Sequence, residues 1–177
     1  MQAIYKKLLV LASTNQQPRM ERNKKLANRL HEVLLNGRWI ANTNYKLQIE
    51  SVTWKQATQK IGTLNTIATL TFHINYYLAG IINVFKGSKL DIRDKYSFDM
   101  QPLESETDWK SLINEFLFNS EEFIKEVANM PDYKLDEIFV DEKYGTYLRN
   151  IEGVIEHSYY HLGQISLIKK MIIENDK

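Results

Sequence analysis

No cysteine occurs among the 177 residues. Disulfides, a thiolate metal site and a cysteine nucleophile are therefore excluded together, and any metal has to be held by nitrogen or oxygen. Proline is scarce, at 3 residues, and glycine numbers 7, so long stretches are free of the residues that interrupt helices. Neither sign of charge dominates: 23 Lys and Arg stand against 22 Asp and Glu, which leaves no general electrostatic footprint for nucleic acid or an anionic membrane. Lys6, Lys7, Arg19, Arg22, Lys24 and Lys25 make the N-terminal part locally basic, but no nucleic-acid-binding signature accompanies them, and a solvated helix face accounts for the run. No uninterrupted apolar stretch approaches the ~18 residues of a spanning helix. Met1 to Ala12 imitates a secretory signal, yet Leu8 to Ala12 is shorter than the ~7–15 residues of a signal core, so the segment reads as mature chain. The expectation is a cytoplasmic protein that engages neither membrane nor nucleic acid.

What remains is an ordinary globular composition, 44% hydrophobic and 25% charged, in a length that suits one domain over residues 1–177. Four segments carry helical periodicity. The first runs from about Arg19 to Asn36, with Leu26, Leu30, Val33 and Leu34 on one face and Gly37 as a stop. Met1 to Thr14 precedes it as a short helix capping the bundle. Between Trp39 and Gly62 the pattern weakens, although Ser51 or Thr53 caps a short helix from Trp54 to Ile61. Thr63 or Asn65 then opens a stronger helix, about Thr66 to Phe85, with Ile67, Leu70, Ile74, Leu78, Ile81 and Phe85 as its core stripe. Ser88 to Ser105 has no sustained period and reads as a long crossover connection, a kind of segment that often lies over a site. A third helix covers Thr107 or Asp108 to Met130 and stops at Pro131, a brief strand-like or irregular stretch follows at Lys134 to Val140, and a last helix covers Tyr147 to Ile173. With no internal repeat or heptad array, the pattern predicts an all-α four-helix bundle carrying an extra N-terminal segment. The long crossover permits a topology other than up-down-up-down.

The chemistry-bearing feature is the run His157-Ser158-Tyr159-Tyr160-His161. Residues i and i+4 stand one above the other on a helix face, so His157 and His161 can share one ion. A third ligand has to come from a facing helix, and His73, on the stripe Leu70, His73, Tyr77, Ile81, is the candidate. Three inward imidazoles without partners would each cost ~1–3 kcal/mol, a cost that a shared ion removes. Separately hydrogen-bonded core histidines are the competing reading. His31, the remaining histidine, reads as a surface or boundary residue. The run is not a zincin motif, since Ser158 stands where the catalytic Glu belongs, and Glu156 points ~100° away round the helix. Tyr76, Tyr77, Tyr159 and Tyr160 lie beside the proposed ligands, where most tyrosines simply pack, and Asn75 and Gln164 are candidates to hold the ligand rings.

The segments Leu70-Thr71-Phe72-His73-Ile74-Asn75 and His157-Ser158-Tyr159-Tyr160-His161-Leu162-Gly163-Gln164-Ile165 resemble the DinB/YfiT-like family. In order and helix spacing the resemblance runs from about Arg19 to Ile173; its sequence-specific part is confined to those two segments. It implies a DinB-type bundle in which His73, His157 and His161 bind a divalent metal, zinc or nickel. Members of the family include transferases and isomerases that use low-molecular-weight thiols as well as many with no known reaction, so the resemblance implies the fold more closely than the reaction. A small-molecule substrate, with a low-molecular-weight thiol as its partner, is the expectation. The long Arg38 to Gly62 insertion departs from the simpler family pattern and puts the shape of the pocket in question.

No Gly-rich phosphate loop, nucleophile elbow or di-carboxylate array of Glu-x-x-His pairs is present, which narrows the chemistry to a mononuclear site. The leading expectation is a metal-dependent thiol S-transferase or hydrolase. The alternative is a non-enzymatic metal-binding or stress-response protein whose metal is structural or absent. An open polar pocket beside the ion would favour the first, an apolar seal the second. A homodimer is compatible with either.

Overall fold

The computed structural model describes residues 21–175, with the side chain of residue 175 excepted. The short helix expected over Met1 to Thr14 lies outside the described residues. Among those described, the chain is all-α, and its only β feature is the isolated bridge between Ile138 and Thr146. Helix α1 spans Arg22–His31 and continues as a π-helical turn over Glu32–Asn36. Two short helices, α2 (Tyr45–Ile49) and α3 (Trp54–Thr58), precede the long helices α4 (Ile67–Phe85), α5 (Glu106–Asn129) and α6 (Tyr147–Asn175).

Local chemistry accounts for the starts. Thr66 accepts from the Thr69 N–H at α4, Ser105 from the Asp108 N–H at α5, and Thr53 forms a capping box with Gln56 at α3. Helix α3 stops at Thr58, short of the expected Ile61. Helix α2 was not expected at all; its Asn44 cap accepts from the Leu47 N–H, and Tyr45 and Ile49, one turn apart, are both buried. The strand-like stretch at Lys134 to Val140 reduces to a 3₁₀ turn over Asp132–Asp136 and the one bridge, because Ile138 has no further strand residue to pair with.

Helix α4 packs on α5 and α6, and α1 packs on the same two, so the four main helices surround one core of residues such as Leu30, Ile74, Trp109, Phe116, Ile151 and Ile165. Direction follows from the cross-links. Asn75 meets Glu115 and Asn119, and Lys86 meets Glu122, so α4 and α5 run parallel. His73 meets His157 and Phe85 meets Tyr147, so α6 runs against α4. Parallel neighbours require the 86–105 connection to travel back along the bundle, and the long crossover does this. It crosses α4 at Gly80, where a Cβ would sit 2.1 Å from Ile92 Cγ2, so only glycine lets the strap lie this close. Helix α4 is long and apolar enough to cross a membrane by length and composition, but 67% of that stretch is buried within the fold. Its apolar surface is the core stripe.

Candidate metal centre

His73 projects from the middle of α4 toward α6, and His157 and His161 project back from consecutive turns of α6. The three Nε2 atoms converge: His157 Nε2 lies 3.1 Å from that of His73 and 2.8 Å from that of His161. One ligand atom from each ring falls within 4.8 Å of the others, close enough for all three to hold a single ion. His73 and His161 are buried and His157 is half-buried. All three predicted residues are therefore together. His31 is apart, half-buried beside Leu35, Asn36 and Glu121.

The outer ring nitrogens fix the tautomers. His73 Nδ1 is 3.2 Å from the Ser97 carbonyl oxygen, an acceptor only, so this nitrogen carries the proton. His161 Nδ1 donates in the same way to Gln164 Oε1 at 2.7 Å. Both Nε2 atoms are left as lone pairs, and both are aimed at His157 Nε2. One nitrogen carries at most one proton, so the cluster lacks the hydrogens that its two N···N contacts need. A cation in the midst of the three lone pairs resolves the shortage. The donor set thus fits a divalent ion of the zinc or nickel type, for which neutral imidazole is a normal ligand.

Burial keeps the imidazoles neutral. Desolvation, with the neighbouring histidines adding to it, pushes His157 down to about 4. Desolvation lowers His73 as well, against the Ser97 hydrogen bond, and lowers His161 against Gln164. Neutral rings are ready to ligate without first losing a proton.

The crossover closes one side. Phe98 stacks on His73, with ring centroids 3.9 Å apart and 13° between planes. The strap is fastened by Tyr77, which donates to Asp94 at 2.6 Å, and by Tyr76, whose hydroxyl bonds both the N–H and the carbonyl of Arg93. Tyr77 also sets its ring edge against His73 and His157. Burial, aided by Asp94, pushes its hydroxyl up to about 12, which keeps it a phenol. The other side is open: a groove of about 350 Å³ leads from His157 past Tyr77 and between Tyr144 and Arg149.

Comparison of the chain with family models, curated proteins and solved structures finds no match.

Gln164 holds a ligand ring as expected, whereas Asn75 does not. It lies two residues, about 200°, round the helix from His73 and faces α5, where it donates to Glu115 and accepts from Asn119. Tyr160 touches His161 edge-on but is largely exposed, and Tyr159 is half-buried away from the cluster, near Glu32 and Arg29. Glu156 pairs with Arg149 at 3.1 Å and does not approach the histidines. Ser97, Phe98 and the groove residues Lys143, Tyr144, Arg149, Asn150 and Gly153 went unpredicted as site residues. The first two carry no signal, because a carbonyl belongs to every residue and a stacked ring is visible only once the strap is placed. Arg149, Asn150 and Gly153 had one: they precede His157 by eight, seven and four residues, so they share its face of α6.

Proposed function

We propose that this protein is a metal-dependent enzyme built on a DinB/YfiT-like four-helix bundle, with a mononuclear divalent site at His73, His157 and His161. Its proposed reaction is thiol transfer or hydrolysis on a small molecule. The observation that carries the reading is the convergence of three Nε2 atoms of which two are fixed as lone pairs by Ser97 and Gln164. A divalent ion there would act as a Lewis acid and lower the pKa of a coordinated water or thiol, a chemistry suited to a chain with no cysteine and no zincin glutamate.

The chain's own residues prepare that chemistry. Neutral ligands leave the ion its full charge, Ser97 and Gln164 hold two of the rings in register, and Phe98 keeps water off the His73 face. Tyr77 packs against two of the rings while its proton is committed to Asp94. The open groove at His157, where Lys143, Arg149 and Asn150 stand among apolar walls that include Ile81 and Val154, supports an enzyme over a sealed structural staple.

Cobalt(II) substitution tests the reading. One equivalent should bind, and a small thiol such as 2-mercaptoethanol should add a sulfur-to-metal charge-transfer band. If no thiol perturbs the spectrum while water exchange at cobalt is open, thiol transfer gives way to hydrolysis. If cobalt admits no exogenous ligand, the enzyme reading is lost.

A further inference from the structure

Arg149, Gly153 and His157 follow one another at four-residue intervals on α6 and form a row along the groove, about 12 Å of axial rise from end to end. Its middle member is a glycine, as is Gly163 further along the same helix, but only Gly153 lies in the groove. Gly153 stands inside a 29-residue helix, where glycine weakens the helix relative to alanine. Packing does not require it: a Cβ at 153 would meet only Arg149 Nη1, at 3.9 Å, in contrast to Gly80 under the strap. The missing side chain leaves room over Gly153 that the exposed Arg149 guanidinium, reaching along the helix to Glu156, borders and would vacate on turning to a bound anion.

The charge of the groove is also one-sided. Lys143 and Arg149 line it, and no carboxylate does. Their present partners are loose: Arg149 rests on Glu156 at 3.1 Å and Lys143 on Asp141 at 3.8 Å, all with exposed side chains. Exposed pairs of this kind contribute little, so an incoming anion can displace them. The amide of Asn150, on the same wall, is turned to the Tyr144 and Thr146 carbonyls and braces the loop that carries Lys143. The volume, about 350 Å³, is enough for a small organic molecule and too small for a peptide chain or a nucleic acid.

We propose that the groove seats an elongated, anionic small-molecule substrate, its negative group on Arg149 and Lys143, its chain over Gly153 and its reacting end at His157. The proposal rests on the metal-site reading above. It assigns Arg149 and Lys143 to substrate selection and Gly153 to the shape of the floor.

The test uses the full chain loaded with cobalt(II) and three probes whose hydroxamate end binds the metal. These are acetohydroxamate, an eight-carbon hydroxamate ending in a carboxylate, and its counterpart ending in a hydroxyl. At low salt the carboxylate probe should bind at least about tenfold more tightly than the hydroxyl probe, and the combined R149A and K143A variant should erase that preference. Gly153→Leu should weaken both long probes at least about tenfold and leave acetohydroxamate unchanged, with helical circular dichroism retained because leucine is the better helix former. Equal affinity of the two long probes, a preference that survives in the double variant, or indifference to G153L would overturn the proposal while leaving the metal site standing. If acetohydroxamate itself leaves the cobalt spectrum unchanged, the metal-site reading has failed and the proposal falls with it.

Discussion

Helix α4 carries two polar clusters on opposite faces, each built on one buried side chain, and they differ in whether their hydrogen bonds close. Asn75, facing α5, donates to Glu115 at 3.0 Å and accepts from Asn119 at 2.8 Å, so each group meets its complement. His73, two residues earlier and facing α6, presents a lone pair to a nitrogen that already faces another lone pair. A cluster that closes by itself is a bolt between helices. A cluster that lacks protons at its centre, while the outer nitrogens of His73 and His161 are both bonded, is shaped for something that binds there. Burial alone does not separate the two, since Asn75 and His73 are equally buried, each 3% exposed.

The sharpest way to break the comparison is to remove a ligand. His157→Ala or H161A should lower zinc affinity at least about 100-fold by isothermal titration calorimetry, at or above the upper end of what loss of an outer hydrogen-bonding partner costs. Asn75→Ala should leave zinc affinity and stoichiometry unchanged. Equal losses from both kinds of variant would mean that the clusters do not differ in role.

The next effect is smaller and concerns the outer bond. Gln164→Leu keeps all three imidazoles but frees the His161 ring, and zinc affinity should fall about 10–100-fold with one ion still bound. An unchanged affinity would show that the His161 tautomer is not set by Gln164.

In stability the roles should reverse. Asn75→Ala removes the hydrogen bonds to Glu115 and Asn119, which are exposed and half-buried and can turn to water, and should cost about 0.5–1.5 kcal/mol in urea denaturation. Removal of metal from the native chain should lower the melting temperature modestly and leave helical circular dichroism intact, because four amphipathic helices around one core suffice to hold the fold. Collapse of the helical signal on chelation would instead make the ion a structural element.

The pH dependence is the mildest discriminator. His157 titrates near 6.5 when unfolded and near 4 in the folded, metal-free chain, so the unfolded state takes up its proton first as pH falls. Metal-free stability should decline from about pH 6.5 toward pH 4 and be fully present above that window. His157→Ala should make the decline shallower, His73 and His161 keeping their shares, and Asn75→Ala should not. A decline of the same slope in H157A would assign the titration elsewhere.

Much of this arrangement was legible in the sequence, for identifiable reasons. Helices α4, α5 and α6 carry apolar residues at spacings of three and four, α4 and α5 between a hydroxyl cap and a Gly or Pro stop, and their bounds fall within a few residues of expectation. The histidines were legible because four-residue spacing fixes a shared face, and because His73 lies on the stripe that faces α6. Helix α2 was hidden by its length, since Tyr45 and Ile49 make a single buried turn with no period to detect. Asn75 was misjudged because nearness in sequence to His73 suggested nearness in space, whereas two residues on a helix turn a side chain to the far side. The strap was foreseen as a connection over a site, but the atoms it supplies, the Ser97 carbonyl and the Phe98 ring, depend on where it crosses α4.

The central claim is that one divalent ion sits among three imidazoles, and X-ray absorption of the zinc-loaded chain reads this directly. The account predicts one zinc per chain, with scattering from three imidazole rings at about 2.0–2.1 Å and at least one further, exchangeable oxygen ligand. Zinc bound without imidazole scattering, or no stoichiometric zinc at all, would contradict it.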